Sequence, residues 1–115
     1  MKVKDDSVNI WGLQPEMQPV LKHVELTWRD FVGVEPTITS ARDGMHSAGS
    51  LHYYGYAADF RTWDSEDRQI DYEIREAVAK HLRIMLANYS AYYDVIAHTT
   101  HIHVEYDYIK AGLIK

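Results

Sequence analysis

The residues near the end of the chain alternate in a way that only a half-buried strand accommodates. In an extended chain His101, His103 and Glu105 fall on one side and Ile102, Val104 and Tyr106 on the other. The same period of two runs through Tyr56 to Thr62, where Ala57, Asp59 and Arg61 share one face and Ala58 and Phe60 take the other. A helix would scatter both sets around its axis, whereas a sheet sorts them into a polar face and an apolar one. A fold containing these segments therefore needs an apolar layer against one side of a sheet and nothing of the kind on the other.

Two helices are expected to supply that layer. Met17, Val20, Leu21, Val24, Trp28 and Phe31 recur at helical spacing after Pro15, which suits a first turn, so a helix is placed at roughly 15 to 32, its start blurred by Pro19. A second, longer helix is expected from an N-cap at Ser65 to about Asn88, with Ile70, Ile74, Val78, Leu82 and Met85 as its core stripe. Thr37 to Ser40 reads as a short strand leading into a polar, Gly- and His-rich loop from Arg42 to Gly55. Tyr92 to Ala97 and Ile102 to Tyr106 read as a hairpin closed by His98-Thr99-Thr100. The order helix, strands, helix, hairpin implies an α+β fold, a small antiparallel sheet packed by two helices on one face. At 115 residues, 46% of them hydrophobic, one domain spanning 1–115 is expected.

Charge and cysteine content narrow the chemistry. The net charge is −5 and Lys and Arg are scattered, which argues against a nucleic-acid surface and disfavours a metal-dependent nuclease. With no cysteine and seven histidines, any metal must be held by His, Asp or Glu. The opening Met1-Lys2-Val3-Lys4-Asp5-Asp6 lacks the apolar region of a signal peptide, and no run approaches the length of a membrane span. The expectation is a product made in the cytoplasm without membrane insertion, with a monomer favoured.

Two clusters carry the chemistry: Ser50-Leu51-His52-Tyr53-Tyr54-Gly55-Tyr56-Ala57-Ala58-Asp59, and His98-Thr99-Thr100-His101-Ile102-His103-Val104-Glu105. A catalytic zinc needs three protein ligands and an open fourth position, and these clusters can provide two histidines and one aspartate. Asp59 and His103 could meet if their strands are neighbours, with His52 arriving from the loop before Gly55.

The pattern Ser-x-His-x-x-Gly-x-Ala-x-Asp at Ser50, His52, Gly55, Ala57 and Asp59, followed by His-x-His at His101 and His103, resembles the zinc peptidases of the M15 type. That group includes D-alanyl-D-alanine carboxypeptidases and phage L-alanyl-D-glutamate endolysins, and it shares a zinc core with lysostaphin-like and hedgehog N-terminal relatives. The resemblance covers roughly Thr37 to Tyr106. It implies Zn2+ held by His52, Asp59 and His103, and places Arg42 where the family often carries a substrate-binding or carbonyl-polarising arginine. The bland alternative for Arg42 is a solvated loop residue. Ser50 is expected to support the site by hydrogen bonding.

The departure from the family pattern concerns the proton carrier. Many members place Asp or Glu three residues before the last ligand, where this chain has Thr100, which cannot take a proton. His101 is therefore the first candidate base, His98 the second, and Glu105 the third or else a residue that orients a ligand. Tyr54, with Tyr53, is placed to line a cleft, the other aromatics being assigned to packing, and His23, His46 and His81 to surface or helix positions without a role. The implied function is zinc-dependent hydrolysis of an amide bond in peptidoglycan stem or cross-link peptides, in a phage or prophage lysis enzyme that acts on the wall after release. The alternative is a non-catalytic zinc-binding or structural module of the same fold.

Overall fold

A computed structural model describes residues 1–41, 55–64 and 66–112. Its elements are β1 (Lys2–Val3), a 3-10 turn (Pro15–Met17), α1 (Gln18–Phe31), β2 (Thr37–Ser40), β3 (Ala57–Arg61), α2 (Tyr72–Ala87), β4 (Tyr93–Ala97) and β5 (His101–Tyr106). The strands form one sheet in the order β1-β2-β3-β5-β4, antiparallel except for the β1–β2 pair. The architecture is α+β.

Alternation in β3 and β5 sorts residues as the sequence implies. Ala58 and Phe60 from β3 and Ile102 and Val104 from β5 are buried in one core cluster with Val20, Val24 and Trp28 of α1 and Val78, Leu82 and Leu86 of α2. The Trp28 indole meets the Phe60 ring at 6.1 Å between centroids. Burying a side chain such as Phe60 contributes roughly 1.5–3 kcal/mol, and a dozen comparable contributions on this face hold the helices down. Both helices lie on the same side, leaving Asp59, His101, His103 and Glu105 on the other.

Three sequence expectations need correction. The α2 helix begins at Tyr72 with Asp71 as N-cap, well after Ser65, which lies outside the described residues. Asp64 accounts for the delay, because its Oδ1 accepts the backbone N–H of Glu66 at 2.8 Å and of Arg68 at 3.1 Å, closing a turn that Asp67 continues at φ 57° and a Trp63–Gln69 bridge ends. Ile70 is still buried, but from this connection, and Ile74 is exposed. At the end of α1 Phe31 is exposed against His81 rather than in the core. Of the two positions expected for His23, surface or helix, the helix holds: it lies in α1, buried, its Nε2 hydrogen-bonded to the Tyr89 hydroxyl at 2.9 Å. Lys2–Val3 forms a strand that the sequence did not announce, joined to β2 by Lys2 N–H to the Pro36 carbonyl and Lys4 N–H to the Ile38 carbonyl, both 2.9 Å.

Gly55 sets the entry to β3. Its φ of 81° is left-handed, and a Cβ there would stand 2.1 Å from the Gly12 carbonyl oxygen. The Gly55 carbonyl accepts the Gln14 N–H at 2.9 Å, so the N-terminal loop is seated directly against the start of the strand that carries Asp59.

Candidate metal centre

Register brings the site together. β3 and β5 are adjacent and antiparallel, and Asp59 stands directly opposite His103, with Ala57 opposite Glu105 and Arg61 opposite His101. On its other flank β3 meets β2 through an irregularity: Ile38 pairs with Phe60 but Ser40 pairs with Asp59, so two steps on β2 match one on β3. A bulge at this point bends the strand locally and re-aims what it carries. Thr39, the extra residue, donates its hydroxyl to the Asp59 carbonyl at 3.4 Å.

Asp59 Oδ1 and His103 Nδ1 lie 2.8 Å apart, and His103 Nε2 lies 2.8 Å from Glu105 Oε1. His103 is thus clasped between two carboxylates. His101 Nε2 stands 4.0 Å from the same Asp59 oxygen, while its Nδ1 is 3.2 Å from the Thr100 hydroxyl. Side-chain exposure of 17% for Asp59, 16% for His103, 21% for Glu105 and 32% for His101 keeps these groups partly desolvated yet reachable. Burial pushes the His103 pKa down, but hydrogen bonds and charge from Asp59 and then Glu105 outweigh it, and the value lies above the ordinary 6.5.

The donor chemistry fits zinc. Two ligand atoms on one tetrahedral Zn2+ sit about 3.4 Å apart, given bond lengths near 2.1 Å; Asp59 Oδ1 and His103 Nδ1, hydrogen-bonded to each other at 2.8 Å, face one another and would have to part slightly to share an ion. Glu105 Oε1 lies at the second imidazole nitrogen, where a carboxylate would accept the N–H of a histidine bound to metal through the first. The described residues alone complete no set of three ligands.

The structure unites Asp59, His103, His101 and Glu105. His98 stacks on His101 at 4.6 Å between ring centroids and is exposed, one layer further from Asp59. His52, Arg42, Tyr54, Ser50, Tyr53 and His46 lie outside the described residues. Two neighbours received no role from sequence. Arg61 shares the Asp59 face, and its guanidinium stacks over the Trp63 ring at 4.1 Å; its place in the alternation was the available signal. Thr100, which only looked like a missing acid, contacts the His101 ring instead.

Neither a family model nor a curated protein matches this chain. Among the described residues no helix is long and apolar enough to cross a membrane.

Proposed function

We propose that this chain is a zinc-dependent metallopeptidase that hydrolyses an amide bond in peptidoglycan stem or cross-link peptides, as phage endolysins do. The observation that carries the reading is the in-register Asp59–His103 pair, whose donor atoms converge at 2.8 Å on the sheet face away from both helices. His52, seven residues before Asp59 in the motif, would be the third ligand.

Bound zinc supplies a Lewis acid for the scissile carbonyl and brings the pKa of its water towards about 7. Asp59 Oδ1 and His103 Nδ1 would hold the ion. Glu105, 2.8 Å from His103 Nε2, accepts the N–H there and fixes the ring plane, which would leave Nδ1 to the ion once its proton is displaced. His101, whose Nδ1 lies 3.2 Å from the Thr100 hydroxyl and whose Nε2 lies 4.0 Å from Asp59 Oδ1, would take up the proton. By the resemblance, Arg42 would steady the substrate or the developing oxyanion, and Tyr54 would line a cleft. No covalent intermediate is needed.

Purified zinc-loaded protein incubated with isolated cell walls is expected to release new amino groups, and a chelator to abolish the release. His101→Ala should retain zinc and lose turnover by about 100-fold or more. Zinc-loaded protein that releases no amines at any pH overturns the peptidase. That result would establish the second reading, a non-catalytic zinc module, which Thr100 favours because it puts no titratable group at the position where an acid serves related enzymes.

A further inference from the structure

Strand β4 is an edge of the sheet: its five residues have β5 on one side and, among the described residues, no strand on the other. The hairpin fixes which backbone groups point which way. His98 N–H donates to the His101 carbonyl at 2.9 Å and Asp107 N–H to the Tyr92 carbonyl at 2.8 Å, so Tyr92, Asp94, Ile96 and His98 turn their backbone groups towards β5. In an antiparallel ladder the residues between them, Tyr93, Val95 and Ala97, turn theirs outward. Such a row is a template for another strand unless something occupies it.

Arg83 occupies it. Reaching over from α2, its Nε and Nη2 donate to the Val95 carbonyl at 3.0 and 2.9 Å, the middle acceptor of the outward row. A carbonyl oxygen has two lone pairs, and this fork engages both. The side chains of the strand, meanwhile, are self-complementary. Asp94, Ile96 and His98 stand opposite Glu105, His103 and His101, and all three are exposed, Ile96 at 43%. Two antiparallel copies of β4 related by a two-fold axis through Ile96 would set Ile96 against Ile96 and Asp94 of each copy against His98 of the other. Ile96 bonds to β5, so on its outer side it falls in a non-hydrogen-bonded pair, where facing side chains approach most closely. Val95 and Ala97 of one copy would then exchange backbone hydrogen bonds with Ala97 and Val95 of the other. An axis through Val95 would instead set Asp94 against Ile96, and one through Asp94 would bring two carboxylates face to face.

We propose that the β4 edge is a self-association surface that Arg83 latches shut. With the guanidinium on Val95 the chain is a monomer; with it withdrawn, β4 pairs with β4 of a second copy in the register centred on Ile96, and one sheet continues through both copies. The contact is isologous, each copy presenting the same patch, so it closes at the dimer. It requires no zinc and no catalysis, and it stands apart from the peptidase reading.

Sedimentation velocity of the whole protein in chelator, from micromolar to near-millimolar concentration, tests the proposal. Wild type is expected to sediment as a monomer, and Arg83→Met to associate into a dimer about tenfold or more tightly than wild type, with Arg83→Lys in between. In the Arg83→Met background, Ile96→Lys sets two ammonium groups face to face and should restore the monomer. Asp94→Lys should weaken the same dimer, and His98→Asp added to it should recover the association, because the cross-copy charge pair returns with its sign reversed. Wild type that dimerises as tightly as Arg83→Met overturns the latch, and Arg83→Met that stays monomeric overturns the surface. A dimer indifferent to Ile96→Lys, or higher aggregates in place of a dimer, overturns the two-fold β4 pairing. If Arg83→Met does not fold, as judged by circular dichroism, Arg83→Lys decides: association tighter than wild type supports the latch and equal association overturns it.

Discussion

His103 lies between two carboxylates, and the two have separable consequences. Asp59 faces Nδ1 and Glu105 faces Nε2, each at 2.8 Å, so removing either leaves one ring nitrogen without its acceptor. On the proposed reading Asp59→Ala deletes a ligand and abolishes zinc retention on dialysis. Glu105→Gln keeps the size of the side chain but offers a weaker acceptor, and zinc affinity should fall about 10- to 100-fold with the ligand set intact. Competition with a chromogenic chelator measures both, and an unaltered affinity in Glu105→Gln would show that Glu105 does not orient the ring. Another histidine bears on stability. Desolvation, followed by charge from Lys22 and His81, holds His23 below its ordinary 6.5, and its Nε2 meets the Tyr89 hydroxyl. The unfolded chain therefore binds the His23 proton more readily than the folded one. Its contribution to stability is complete above about pH 6.5 and is lost as pH falls through that unfolded value towards the folded one, with a slope of at most about 1.4 kcal/mol per pH unit. His23→Gln should flatten urea stability curves between about pH 7.5 and 5.5 relative to wild type; identical pH slopes would sink the assignment.

At the scale of elements, the entry to β3 depends on Gly55. A methyl group there meets both a left-handed φ of 81° and a carbonyl oxygen at 2.1 Å, whereas Gly33 shares the same φ with nothing within 4 Å of its would-be Cβ. Gly55→Ala should therefore cost roughly 2 kcal/mol or more and Gly33→Ala about 1 kcal/mol in urea titrations, and equal losses would mean that the close approach of Gly12 carries no weight. The two strands that matter most were legible beforehand because period-two alternation is a property of the residues themselves: Asp59 and His103 could be assigned to the polar face, and Phe60, Ile102 and Val104 to the helix-packed one, before any pairing was known. The start of α2 was not legible. Ser65-Glu66-Asp67 has the composition of a helix N-terminus, yet Asp64 takes the same amides into a turn, and local composition does not show which competitor wins. Lys2–Val3 was equally hidden, since two exposed residues carry no period and owe their strand to the waiting edge of β2. Glu105 was legible as a third candidate base or else a residue that orients a ligand; which ring nitrogen of His103 it reaches was not, because that depends on how the two side chains meet across the strand face.

For the whole molecule, the proposed ion would couple parts that folding alone joins loosely. Asp59 sits on β3, His103 on β5 and His52 before Gly55, so one ligand set spans two strands and the chain between β2 and β3. An ion that binds this arrangement and not the unfolded chain stabilises it by mass action, about 2.7 kcal/mol at a hundredfold excess over Kd. For a chain of this size that corresponds to a rise of about 10 °C in Tm. Among the described residues the core cluster beneath the sheet contains neither Asp59 nor His103, so the metal-free protein should still unfold cooperatively, unlike a zinc finger that is unstructured without its metal. Thermal unfolding followed by circular dichroism in zinc and in chelator gives the measurement, with Asp59→Ala as control. The expected outcome is a single transition in chelator, an upward shift in zinc that magnesium does not reproduce, and no shift in the variant. A zinc-dependent rise that persists in Asp59→Ala would place the ion elsewhere on this histidine-rich surface, and equal transitions in zinc and chelator would remove zinc from the β3–β5 pair altogether.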